Sequence, residues 1–292
     1  MTTFRGTYTV MITPFDDAGA VDLPALRRFV DWQIAQGIHG LVALGSTGEF
    51  LSLSDAEHEA VAATVIAEAA GRVPVLIGTG AEDTREAVRL SRRAERLGAD
   101  GVMIIPPFYC TPTVDELFHH YRTIADAIGL PIMVYNNPAT ANVDMTPPVI
   151  ARLSTIDNCR YVKESTLEVT RVRDIIRLCG DRMGVFGGIL GFESFADGAC
   201  GWVAVASNAA PGPLARLFTL VADEEKLAEG RALYRRYAPL IEFVGGQRYV
   251  AGTKALLGHM GRGVGGPRPP RLPLPAADDA TARAIVRELD LR

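Results

Sequence analysis

The sequence predicts an α/β fold, a (β/α)8 TIM barrel followed by a C-terminal helical extension. Three observations carry that expectation. Eight short apolar runs rich in β-branched residues recur along the chain, nearly continuous rather than alternating, which marks parallel strands covered on both faces. The stretches between them carry helical periodicity. The eighth strand–helix alternation is complete by about residue 212, and the chain of 292 residues has room for a barrel, which takes ~250 residues. Residues 1–212 are assigned to the barrel and 213–292 to a helical extension packed on it.

The strand runs are Thr7–Thr13, Gly40–Gly45, Val73–Thr79, Gly101–Pro106, Pro131–Asn136, Arg160–Glu164, Met183–Gly188 and Gly201–Asn208. The first helix, Leu23–Gln36, sets Leu26, Phe29, Val30 and Ile34 on one face. Ser54–Ala70 opens with a capping box, Ser54 followed by Glu57. Thr84–Leu97 stops at Gly98, a good C-cap. Val114–Ile128, Pro147–Leu153, Val169–Cys179 and the short Gly191–Gly198 fill the remaining gaps. Beyond the eighth strand, Pro213–Asp223, Glu224–Phe243, Val250–Gly258 and Ala276–Leu291 read as helices. Between the last two, the Gly/Pro-rich strap Gly261–Pro275 reads as an ordered loop. A doubly wound open sheet would want a glycine-rich phosphate loop after the first strand, and this strand ends instead in Thr13-Pro14-Phe15-Asp16.

Composition narrows the function classes. The chain is 48% hydrophobic and 22% charged, with 30 basic against 34 acidic residues and a net charge of −4. Such a chain folds around a core, and its mild acidity argues against nucleic-acid binding. No apolar run approaches the ~18 residues of a membrane span. Met1–Gly6 lacks the basic-then-apolar pattern of a signal peptide, and Cys110, Cys159, Cys179 and Cys200 form no C-x-x-C pair, so a reduced, cytoplasmic protein is expected. Lysine is scarce: Lys163, Lys226 and Lys254 are the only three, so a function needing an amine nucleophile has few candidates.

Active sites of such barrels lie at the C-terminal ends of the strands. Lys163 stands there inside an apolar strand, where a lysine is unfavourable to bury. Either it pairs with Glu164 or another carboxylate, or it is an amine that forms a Schiff base with a substrate carbonyl, burial favouring the neutral form that reacts. Gly45-Ser46-Thr47-Gly48-Glu49, after the second strand, offers hydroxyls and successive N–H groups that suit a carboxylate, or else is a plain capped turn. Tyr109 and Tyr135 each end a strand. Singly they could be core filler, but with the Ser/Thr pair around one lysine they make a proton relay, which carbinolamine chemistry requires. The five histidines show no metal spacing, and Ser46 has no strand-end histidine to make it a triad nucleophile.

G-S-T-G-E, P-P-F-Y around Tyr109, Y-N-N-P, V-K-E-S and G-W-V-A-V-A-S-N, in this order, resemble the dihydrodipicolinate synthase / N-acetylneuraminate lyase family over about Gly6 to Pro275. The resemblance implies a (β/α)8 barrel with a helical extension, assembled as a homotetramer, a dimer of dimers. It implies that Lys163 is the Schiff-base lysine that captures a 2-oxo acid such as pyruvate. Tyr135 matches the tyrosine that shuttles protons, Ser46 the relay hydroxyl, and Thr47 with nearby amides, Gly48 among them, the holder of the carboxylate. Tyr109 matches the tyrosine that completes the relay, often from a neighbouring subunit, and Gly188 and Val203 match wall positions near the lysine.

Departures from the pattern bear on the substrate. Where the lysine-biosynthetic synthases carry an arginine for the carboxylate of aspartate semialdehyde, this chain has Thr140, which removes a bidentate grip. The loop from Gly188 to Gly198 is also shorter than is usual in the family. These features resemble a catabolic branch of 2-keto-3-deoxy sugar acid aldolases and dehydratases and of the 1-pyrroline-4-hydroxy-2-carboxylate deaminase. The expectation is a Schiff-base lyase acting on a pyruvate-like 2-oxo acid without metal or dissociable cofactor, nucleic acid or membrane. The alternatives are the 4-hydroxy-tetrahydrodipicolinate synthase reaction itself, the deaminase, a non-catalytic 2-oxo acid-binding barrel, and a barrel enzyme for phosphate ligands.

Overall fold

The computed structural model describes residues 3–292. Eight strands close in sequence order into a parallel barrel: β1 (Gly6–Val10), β2 (Gly40–Ala43), β3 (Val75–Gly78), β4 (Gly101–Ile104), β5 (Ile132–Asn136), β6 (Cys159–Glu164), β7 (Gly184–Gly187) and β8 (Gly201–Ala204). Helices α1 (Leu23–Ala35), α2 (Asp55–Ala69), α3 (Thr84–Leu97), α4 (Val114–Ala125), α5 (Pro147–Leu153), α6 (Thr170–Cys179) and α7 (Phe192–Ala196) alternate with them. After β8 come α8 (Pro211–Phe218), α9 (Leu227–Phe243), α10 (Tyr249–His259) and α11 (Ala276–Glu288). No helix among the described residues is long and apolar enough to cross a membrane.

By internal contacts the chain divides into two compact units. The first is Pro74–Val203 together with residues 3–6. Its strands β3, β4 and β5 are largely apolar because both faces are covered, and every residue of the three is buried. The ladder runs in register, with Met133 beside Tyr161 beside Gly184, and Tyr135 beside Lys163 beside Phe186. Glycine is required where rings cross the strands: a Cβ at Gly201 would lie 2.1 Å from the Phe186 ring. Phe4 packs on Tyr161, ring centroids 4.8 Å apart, while its N–H donates to the Tyr161 hydroxyl. Gly98 is left-handed after α3, as the sequence expects, and a capping box between Thr113 and Glu116 opens α4.

The second unit is Thr7–Val73 with Ala204–Arg292. Leu26, Phe29 and Val30 of α1 are buried, and the Ser54–Glu57 capping box is present. Two helix starts differ from the sequence expectation by more than one residue, for identifiable reasons. The eighth helix begins at Pro211, because a proline at the first helical position gives up no hydrogen bond, and it loosens into a π turn over Thr219–Asp223. The ninth begins at Leu227 rather than Glu224, because Glu225 turns left-handed (φ 54°). The strap is ordered, as expected: Phe15 N–H donates to Val264 O at 3.0 Å, and the Arg268 guanidinium donates to Ser52 O at 2.7 Å and to Gly19 O.

Candidate active site

Alternation along β6 decides which side chains can meet. Residues two apart share a face, so Tyr161, Lys163 and Ser165 point one way and Val162 and Glu164 the other. Lys163 is only 5% exposed. Its ammonium lies 3.9 Å from the centroid of the Tyr135 ring, the register partner on β5. The π face is an electrostatic contact that leaves the amine unbonded and available. Of the two readings of Lys163, the pairing with Glu164 or another carboxylate is absent from the geometry of the described residues. Glu164 instead accepts from Asn136 Nδ2 at 2.9 Å and from the Thr166 N–H at 2.8 Å, and no carboxylate pairs with Lys163 among the described residues.

Tyr135 is buried, and its phenol oxygen accepts from Asn137 Nδ2 at 2.9 Å. That bond occupies a lone pair and leaves the phenol hydrogen to donate elsewhere. Above the lysine on its own face, Ser165 is buried with its Oγ unpartnered. Gly188 packs against it: the Gly188 N–H donates to Glu164 O at 2.7 Å, and a Cβ at Gly188 would fall 1.8 Å from Ser165 Oγ. Gly188 therefore keeps the strand ends of β6 and β7 in close approach. Val203, on β8, is fully buried. Ser165 closes the V-K-E-S motif, in which the sequence reading assigns the serine no role; its signal is the two-residue spacing from Lys163.

Tyr109 behaves differently. It lies on the loop after β4 and is 86% exposed, so the structure does not bury it with Lys163 in this chain. The loop is nonetheless held from both sides. Glu82 accepts from the N–H groups of Phe108, Tyr109 and Cys110 at 2.9, 3.0 and 2.8 Å. Against the opposing effect of partial desolvation, these three donors hold the Glu82 carboxyl down at about 2. Asn142 Nδ2 donates to Phe108 O and Tyr109 O at 3.2 and 2.9 Å. Thr140 is exposed in a turn where its N–H donates to Asn137 O at 3.0 Å. Arg171, on α6, is engaged by Asp144 at 2.6 and 2.8 Å and by Glu168.

In the second unit, Ser46–Gly48 forms a single 310 turn after β2. Thr47 and Gly48 are buried, and Thr13 Oγ1 donates to Gly48 O at 2.7 Å. The Gly48 N–H closes on Gly45 O, and Glu49 follows in the left-handed region (φ 56°) with its N–H on Ser46 O. No hydrogen bond occupies the Ser46 or Thr47 hydroxyl among the described residues, which leaves both for a ligand.

Comparison with known proteins agrees with this architecture. The sequence profile of the dihydrodipicolinate synthetase family matches residues 3–289. The chain is 41% identical over 269 residues to a 4-hydroxy-tetrahydrodipicolinate synthase of Nitrobacter hamburgensis, covering 89% of this chain and 88% of that protein. It is 40% identical over 261 residues to the enzyme of the same name from Syntrophobacter fumaroxidans, covering 89% of each. The fold superposes on a dihydrodipicolinate synthase of Acinetobacter baumannii, solved in complex with pyruvate, with a TM-score of 0.96 and 32% identity over 99% of this chain and 100% of that one. The chain belongs to the dihydrodipicolinate synthetase family, a family of lyases.

Proposed function

We propose that this protein is a Schiff-base lyase that captures a pyruvate-like 2-oxo acid on Lys163. The observation that carries the reading is the buried Lys163 amine, without a carboxylate partner, held against the ring of Tyr135. In its neutral form the amine attacks the C2 carbonyl. The carbinolamine loses water to give an iminium, which withdraws electrons from C3 and so lets a bond there form or break. Tyr135 is the acid–base group, since its phenol hydrogen is uncommitted. Ser46 extends the relay, and the Thr47 hydroxyl holds the carboxylate at a turn that the Gly48 N–H, on Gly45 O, keeps closed. Ser165, Gly188 and Val203 form the wall around the bound chain. Tyr109, exposed on a held loop, completes the relay of a neighbouring copy in a homotetramer. The likeness to a family member solved with pyruvate supports this substrate class.

The partner group of the substrate is the finer question. Thr140 supplies a hydroxyl, and Arg171 is already committed to Asp144, so these positions offer no free guanidinium for a second carboxylate. A hydroxylated 2-oxo acid, cleaved, dehydrated or deaminated, fits them best. The names of the relatives favour a second reading, condensation of pyruvate with aspartate semialdehyde. A substrate panel separates the two. Turnover of 2-keto-3-deoxy acids or 1-pyrroline-4-hydroxy-2-carboxylate at kcat/KM at least about 100-fold above the aspartate semialdehyde reaction supports the first. The reverse order establishes the second. Loss of all turnover in Lys163→Met with an unchanged fold is required by both.

A further inference from the structure

The charged pair buried behind the Ser46–Gly48 turn has no part in the chemistry just described. Glu49 ends that turn, and its carboxylate is fully buried, 2.9 Å from the ammonium of Lys254, whose side chain is 2% exposed. Lys254 is one of only three lysines and sits in the middle of α10, far along the chain. Its ammonium also donates to Gly266 O at 2.9 Å and lies 4.0 Å from the Phe15 ring centroid. The second carboxylate oxygen of Glu49 accepts the Arg268 N–H at 2.9 Å, with the Arg271 guanidinium 4.0 Å away. Arg268 in turn donates to Glu57 at 3.0 Å and stacks over the other contact of the strap, Phe15, at 4.3 Å.

A buried ion pair is a poor device for stability, since apolar side chains of the same volume serve as well or better. Its strength is geometric: each charge must find the other. Here the pair fixes a residue in a conformation that a glutamate adopts only at the expense of strain. The Glu49 backbone is the closure of the turn, with its N–H on Ser46 O, while Ser52 N–H donates to its carbonyl at 2.8 Å. Holding the Glu49 side chain therefore holds the pitch of Ser46, Thr47 and Gly48.

We propose that Lys254 is a positioning residue of the active site: through Glu49 it sets the turn whose Thr47 hydroxyl grips the carboxylate of the 2-oxo acid. The inference rests on the reading of Thr47 and Gly48 given under Proposed function. It makes the C-terminal extension part of substrate binding, with no atom of that extension touching the substrate. It also explains why the strap is bolted in place rather than left loose, because Arg268 and Gly266 complete the cage around the same two charges.

The test is a titration of the Lys163 Schiff base, trapped with borohydride, in the wild type, Lys254→Met and Glu49→Gln. Glu49→Gln keeps the shape of the side chain and an acceptor for the Arg268 N–H, so it carries the test where Lys254→Met does not fold. Two carbonyl compounds are compared, pyruvate and hydroxyacetone, which has the ketone without the carboxylate. The expected result is a half-saturating pyruvate concentration raised about 10-fold, a limiting trapping rate within about 2-fold of wild type, and a hydroxyacetone titration within about 2-fold. A pair that merely supports the fold would shift both compounds together or neither, and either of those results overturns the proposal. Wild-type protein that traps no pyruvate overturns the Schiff-base reading and this inference with it. Wild-type trapping with an unchanged pyruvate titration in the variants overturns this inference alone.

Discussion

The Lys163 ammonium rests on the face of the Tyr135 ring, 3.9 Å from its centroid, and the two residues are register partners on neighbouring parallel strands. The ring and the hydroxyl of Tyr135 thus have separable jobs. Tyr135→Phe keeps the ring beneath the amine and removes the proton carrier. Its stability should match wild type, while kcat falls about 100- to 1,000-fold, the range of a lost general acid–base group. Stopped-flow assay of Schiff-base formation checks this, and a kcat within a few-fold of wild type would remove Tyr135 from the relay.

Ser165 carries an opposite signature. Its hydroxyl is buried and unpartnered, so the free protein bears an unmet hydrogen bond of about 1–3 kcal/mol. Ser165→Ala should leave stability unchanged or raised in urea denaturation. Turnover of a hydroxylated substrate should fall at least about 10-fold. A variant that is less stable and equally active would mean that the serine is only a packing residue.

His120 makes stability depend on acid. Burial, reinforced by neighbouring His119 and opposed by Glu82, lowers its pKa from 6.5 to about 4. Its Nδ1 is 2.8 Å from Thr84 Oγ1. The folded state therefore resists a proton that the unfolded state accepts. The stabilisation is whole above pH 6.5 and is lost as pH falls toward 4, by about 3 kcal/mol. Denaturation of wild type and His120→Gln across this window should show the slope in the first and a weaker one in the second.

Lys254 sets the alkaline counterpart. Burial lowers it from 10.5 to about 8, opposed by Glu49 and assisted by Arg268 and Arg271, the charged groups that face it. Between these values the unfolded chain holds the proton and the folded chain does not, so this residue's contribution to stability rises with pH. The grip on the 2-oxo acid runs the other way, because the neutral amine no longer pins Glu49. Above about pH 8 the half-saturating pyruvate concentration should rise in the wild type and stay flat in Lys254→Met.

What the sequence made legible follows from local physics. A lysine in an apolar strand is conspicuous, and so Lys163 stood out. Pro147–Leu153 and the Ser54–Glu57 box carry their own start signals, and both are where expected. Ser165 was less visible because a serine after a strand reads as a turn residue. Its role depends on the approach of Gly188, which no local pattern encodes. The hold on Tyr109 comes from Glu82 and Asn142, which neighbour it only in the fold. Glu49 and Lys254 lie too far apart in the chain for any periodicity to join them. The late start of α9 turns on one left-handed residue, Glu225, a type that gives no such warning.

The most direct test of the central claim is borohydride reduction in the presence of pyruvate, followed by intact and peptide mass measurement. The account predicts one reduced pyruvate adduct per chain, confined to the peptide that contains Lys163 and absent from Lys163→Met. An adduct on Lys226 or Lys254, or no adduct with pyruvate or with any hydroxylated 2-oxo acid, would contradict it.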